Sequence, residues 1–124
     1  MASKTYMITP VAKCRQTQRD RWLNPPRPCV AKYRAFKDEV RLNKVELPES
    51  GFHVLFMLPI PKSWSNQKQQ EMCMKPHQVR PDLDNLCKAL FDATYKEDSV
   101  IWDYRATKVW GREGMIVIQS INHS

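Results

Sequence analysis

Between Arg80 and Asp98 the chain gathers the residue types that metal-assisted phosphodiester hydrolysis needs. The run Arg80-Pro81-Asp82-Leu83-Asp84-Asn85-Leu86-Cys87-Lys88 sets two aspartates one residue apart, an amide beside them and a lysine one helical turn further on. Glu97-Asp98 then supply a second acidic pair. Carboxylate and amide oxygens are hard donors that suit Mg²⁺ or Mn²⁺ better than zinc. In a chain of formal net charge +7, such a knot of carboxylates calls for a cation that lets like charges converge. A divalent ion so held lowers the pKa of a water and offsets charge on a phosphate.

These residues need elements to carry them. Leu83, Leu86, Cys87, Leu90, Phe91 and Ala93 recur at helical spacing, which predicts a helix opening just after Asp82 with its acidic residues at the favourable N-terminal end. Asp84, Lys88 and Asp92 are expected on the opposite stripe. A plain i, i+4 ion pair between Asp84 and Lys88 is the alternative to a chemical role for the lysine. Upstream, residues 5–9 before Pro10 predict a strand. Val30, Tyr33, Phe36 and Val40 predict an amphipathic helix, whose basic outer face either meets DNA or is simply solvated. The apolar run over residues 52–61 predicts a central strand, and a short helix fits residues 65–74. Residues 102–110 and 115–118, about a turn from Gly111 to Gly114, predict a closing hairpin. The order β-α-β-α-β-β makes this an α+β fold, a single-domain mixed β-sheet with helices packed against it over residues 1–124.

Composition narrows the partners. A chain of 124 residues supports one core, and no apolar run approaches the roughly 20 residues of a membrane span. No secretory signal opens the chain, so a cytoplasmic location is expected. Twenty Lys and Arg against thirteen Asp and Glu point to a polyanion, most often nucleic acid. Cys14, Cys29, Cys73 and Cys87 lack C-x-x-C spacing and are expected as free thiols. Cys73 and His77 lack the second ligand pair of a zinc site, and His53 is expected at an interior or edge position. With three glycines and no phosphate-binding glycine loop, no nucleotide cofactor is expected.

Two basic segments flank the acidic motif. Residues 11–28 hold Arg19, Arg21, Arg27 and Trp22, and their prolines argue against a helix or central strand. They form either an arm that tracks phosphates and stacks on a base, or a solvated loop with Trp22 in the core. Residues 61–81, with Lys62, Lys68, Lys75 and Arg80, either deliver a phosphate to the motif or merely connect two elements.

The motif Arg80 to Ala93, then Glu97-Asp98-Ser99-Val100-Ile101 and Asp103-Tyr104-Arg105, resembles the RusA-type Holliday-junction resolvases, small endonucleases of bacteria and their phages. Weaker agreement extends to Pro61-Lys62-Ser63-Trp64-Ser65 and to Lys32-Tyr33-Arg34-Ala35-Phe36-Lys37, leaving only residues 11–28 outside. The resemblance implies a homodimer that binds four-way DNA junctions and cuts two opposing strands symmetrically with Mg²⁺, for which Mn²⁺ can substitute. It implies metal-binding, catalytic roles for Asp82, Asp84 and Asp98 and a catalytic role for Lys88. Glu97 stands where an aspartate often precedes the last catalytic aspartate. Rival readings are a less selective branched-DNA or flap nuclease and a non-catalytic junction-binding module.

Overall fold

A computed structural model describes residues 3–15, 17–94 and 98–121, with only the backbone of Asp98. Four strands, β1 (Ser3–Tyr6), β2 (Phe52–Pro59), β3 (Tyr104–Gly111) and β4 (Met115–Ser120), form one mixed sheet in the order β1-β4-β2-β3. Helices α1 (Pro28–Leu42), α2 (Asn66–Met72) and α3 (Leu83–Thr94) complete the domain. The α+β reading with a central β2 is therefore correct. None of the described helices is long and apolar enough to cross a membrane.

The core lies between one sheet face and the helices α1 and α3. In β2 alternate residues Phe52, Val54, Phe56 and Leu58 are buried, as the two-residue strand period requires. They meet Ile116 and Ile118 of β4, Tyr33, Phe36 and Val40 of α1, and Leu86, Leu90 and Phe91 of α3. Each such side chain contributes roughly 1.5–3 kcal/mol by leaving water. Phe52, Phe91 and Tyr104 form an aromatic cluster with centroids 5.1–5.9 Å apart, which ties the C-terminal part of α3 to the start of β3.

Several expectations are corrected. β3 and β4 are not paired as a hairpin: β2 lies between them, parallel to β3 and antiparallel to β4. The β3–β4 turn instead arches over the end of β2, where Ile60 N–H donates to the Gly111 carbonyl at 2.9 Å. Gly114 in this turn lies so close to Thr9 that an added Cβ would collide with it. The first strand ends at Tyr6, and Ile8 is buried beyond it. Pro28 does not exclude a helix but begins α1, where its missing N–H costs nothing.

Cys14 and Cys29 are joined by a disulfide, with Cα atoms 5.9 Å apart, whereas Cys73 and Cys87 are free thiols. Their fifteen-residue separation carries no recognisable motif, and only the folding of residues 11–28 back onto α1 brings them together. Asp92 also departs from its expected place. Residues four apart advance about 40° beyond a full helical turn, so over two steps the stripe begun by Asp84 rotates toward α1. There Asp92 accepts a hydrogen bond from the Tyr33 hydroxyl at 2.8 Å and pairs with Lys13 at 2.8 Å. His53, expected at an interior or edge position, is half-buried on the central strand β2, with Nε2 3.0 Å from the Thr107 hydroxyl.

Candidate active site

The acidic motif is reached along the free edge of β3. Met74 N–H donates to the Trp110 carbonyl at 2.8 Å, Trp110 N–H to Lys75 at 3.0 Å, and His77 N–H to Lys108 at 3.1 Å. Residues 74–77 thus run beside β3 as an irregular extra strand, a place where Pro76 is tolerated because no donor is needed from it. Beyond His77 the chain turns toward α3, and the Lys108 ammonium donates to the Val79 carbonyl at 2.6 Å and to the Pro81 carbonyl at 2.7 Å.

Asp82 follows directly. Its carbonyl accepts the Leu86 N–H at 3.2 Å, so it heads α3, and Asp84 lies in the first turn. Both carboxylates sit at the positive end of the helix dipole. Leu86, Cys87, Ala89, Leu90 and Phe91 are buried, which locks the helix about its axis and leaves Asp82, Asp84 and Lys88 exposed. Lys13 N–H donates to the Asn85 carbonyl at 3.0 Å, tying the N-terminal segment to the same turn. An open depression beside Asp82 is lined by Ala12, Arg80, Pro81 and Asn85.

Lys88 Nζ stands 3.8 Å from Asp84 Oδ2, with both side chains more than half exposed. At that separation and exposure the pair is weak. Burial, and then the charge of Asp84, push the Cys87 thiol up to about 11. Cys87 therefore packs in the core as a protonated thiol. Partial burial is also the main cause that raises the Tyr104 phenol.

The backbone of Asp98 opens a 3-10 turn over Asp98–Val100. Its side chain and the whole of Glu97 lie outside the described residues. Among the described residues no group of three or more His, Cys, Asp and Glu is gathered as a metal would require. Asp82 and Asp84 offer oxygen donors only, a set that suits a hard divalent ion better than zinc.

The basic residues fall into separate groups. Arg80 is exposed beside Asp82, and Lys75 is exposed on the edge segment. Lys62 borders a depression shared with Asn66, Gln69 and Arg112. Arg112 carries no distinguishing signal in the sequence and is added by the fold alone. Lys68 Nζ lies 4.1 Å from the ring centre of Trp64, which packs on Trp110 at 4.9 Å. In the arm of residues 11–28, a 3-10 turn over Gln18–Arg21 presents Arg19, Arg21 and Trp22 outward. Trp22 is 84 % exposed, so it is not tucked into the core. Arg27 instead folds back along the arm, donating to Asp20 and to the Arg15 carbonyl.

A family model described as Endodeoxyribonuclease RusA matches residues 8–120, and so extends through the arm that the sequence resemblance left aside. No curated protein matches the chain.

Proposed function

The chain belongs to the RusA family of endodeoxyribonucleases, and from that premise we propose that it cuts four-way DNA junctions by metal-dependent hydrolysis, nicking two opposing strands symmetrically. The observation that carries this reading is the placing of Asp82 and Asp84 together at the exposed head of α3, in a chain of net charge +7. Asp82 and Asp84, with Asp98, would hold Mg²⁺ or Mn²⁺. When bound, the ion supplies an activated water and offsets charge on the phosphate oxygens.

The remaining roles fall to side chains of this protein. Lys88, one turn beyond Asp84, offers a mobile point cation for the scissile phosphate or the leaving oxygen. Arg80, beside Asp82, offers a two-pronged contact to a flanking phosphate. Arg19, Arg21, Lys62, Lys68 and Lys75 supply the sequence-independent attraction to the backbone, and Trp22 a surface on which an unpaired base can stack. A twofold homodimer would present two such sites to the two symmetry-related strands of a junction.

The test is cleavage of a labelled four-way junction and a matched linear duplex in Mg²⁺ by the wild type and by Asp82→Asn. Paired nicks on the junction alone, reduced about 100-fold or more in the variant, are the expected result. Equal cutting of both substrates would make the protein a less selective nuclease. Tight junction binding without cutting in Mg²⁺ or Mn²⁺ would make it a binding module. Sedimentation of a monomer at micromolar concentration would remove the dimer.

A further inference from the structure

We propose that Lys108 is a positioning residue for this site, its ammonium fixing the backbone that carries Asp82. The inference rests on the reading of Asp82 as a metal ligand. Lys108 lies half-buried in the middle of β3, a strand held along its whole length by parallel pairing with β2. Its own carbonyl takes the His77 N–H, and its Nζ reaches forward to the carbonyls of Val79 and Pro81 at 2.6 and 2.7 Å. One residue of the sheet thus anchors three points of the segment that ends at Asp82.

The side-chain anchors matter because the backbone provides none there. Among the described residues, residues 78–81 make no backbone-to-backbone hydrogen bond to the rest of the fold. Regular bonding stops at His77 and resumes with the Leu86 N–H on the Asp82 carbonyl. Lysine suits this gap. Its ammonium has three donors and no acceptor, so it can serve two carbonyls at once through charge-assisted bonds. Hydrolysis, in turn, is sensitive to displacements of about 1 Å in the groups that orient it. Arg80, held between the two clamped carbonyls, is oriented by the same contact.

The test uses Lys108→Met, which keeps the stem and loses the donors, and Lys108→Arg, which keeps donors and charge. In the metal-free protein, backbone NMR order parameters at Arg80, Asp82 and Leu83 are expected to fall in Lys108→Met while those of β2 and the buried part of α3 stay high. Single-turnover junction cleavage is expected to fall about 10- to 100-fold with junction affinity unchanged, and Lys108→Arg to recover part of both losses. Unchanged order parameters and cleavage would overturn the proposal. So would lower order parameters throughout the domain, which would make Lys108 a general stabilising residue, or loss of junction affinity in step with cleavage, which would make it a DNA contact. Should the wild type cut no junction, the proposed function fails, while the order-parameter comparison still decides whether Lys108 holds the segment.

Discussion

Arg27 grips Asp20 with two nitrogens, Nε on Oδ1 and Nη2 on Oδ2, each at 2.8 Å, and the carboxylate is 2 % exposed. Thr17 completes the arrangement, its N–H donating to the same carboxylate at 2.7 Å. The arm that presents Trp22 is therefore built around an ion pair whose carboxylate is buried while its guanidinium is part-exposed, and is not a loose cationic loop. This fork suits arginine, whose planar donors match a carboxylate, and lysine could not replace it.

The Arg27 guanidinium, followed by the Thr17 amide, holds the Asp20 carboxyl well below the usual carboxylate range, against the opposing effect of burial. Because the folded pKa is depressed, the stabilisation is complete above the unfolded value of about 3.9. It is lost as pH falls from there toward the folded value. Thermal melts between about pH 2 and 7 should show a shallower acid decline for Asp20→Asn than for the wild type. Arg27→Ala should melt lower at neutral pH, because it leaves Asp20 sequestered without its partner. An acid decline in Asp20→Asn as steep as the wild type's would show that the pair does not govern this limb.

For Lys88→Ala, stability should change by less than about 0.5 kcal/mol, since the pair with Asp84 is exposed and long. Single-turnover cleavage should nevertheless fall about 100-fold or more, as for loss of a cation that acts only in the transition state. Junction affinity should survive. Cleavage at the wild-type rate would reduce Lys88 to a surface partner of Asp84.

Trp22→Ala should leave the melting temperature unchanged, because the indole is 84 % exposed. Affinity for a junction with unpaired bases should drop about 5- to 150-fold, the equivalent of one lost base stack. Fluorescence anisotropy at fixed salt, with linear duplex as the comparison, reads both effects. A lower melting temperature with unaltered DNA binding would assign Trp22 to packing.

Much of the scaffold was legible because periodicity is a local signal. Val30, Tyr33, Phe36 and Val40 marked the inward face of α1, and Leu83, Leu86, Cys87, Leu90, Phe91 and Ala93 that of α3; all are buried except Leu83, which is half-buried. The apolar residues 52–61 marked β2 as central because a strand with neighbours on both sides is shielded from water. The start of α3 at Asp82-Leu83 followed from the same pattern, and with it the exposed placing of Asp84 and Lys88. The resemblance carried by Arg80 to Ala93, with Glu97 to Ile101 and Asp103 to Arg105, anticipated the family.

Sequence alone determined which faces of which elements turn inward, because burial of an apolar face is dictated by spacing within a single segment. The tertiary structure alone decided which segments meet. The short turn after β3 suggested a hairpin, yet β2 inserts between β3 and β4 because it can bury Phe52, Val54, Phe56 and Leu58 there. Lys108 was one of twenty basic residues until the edge of β3 brought it beneath Val79 and Pro81. Asp92 read as an outward acid until α1 supplied Tyr33 opposite it. Such contacts join residues far apart in the chain, and their free energy depends on three-dimensional approach, for which the linear pattern holds no term.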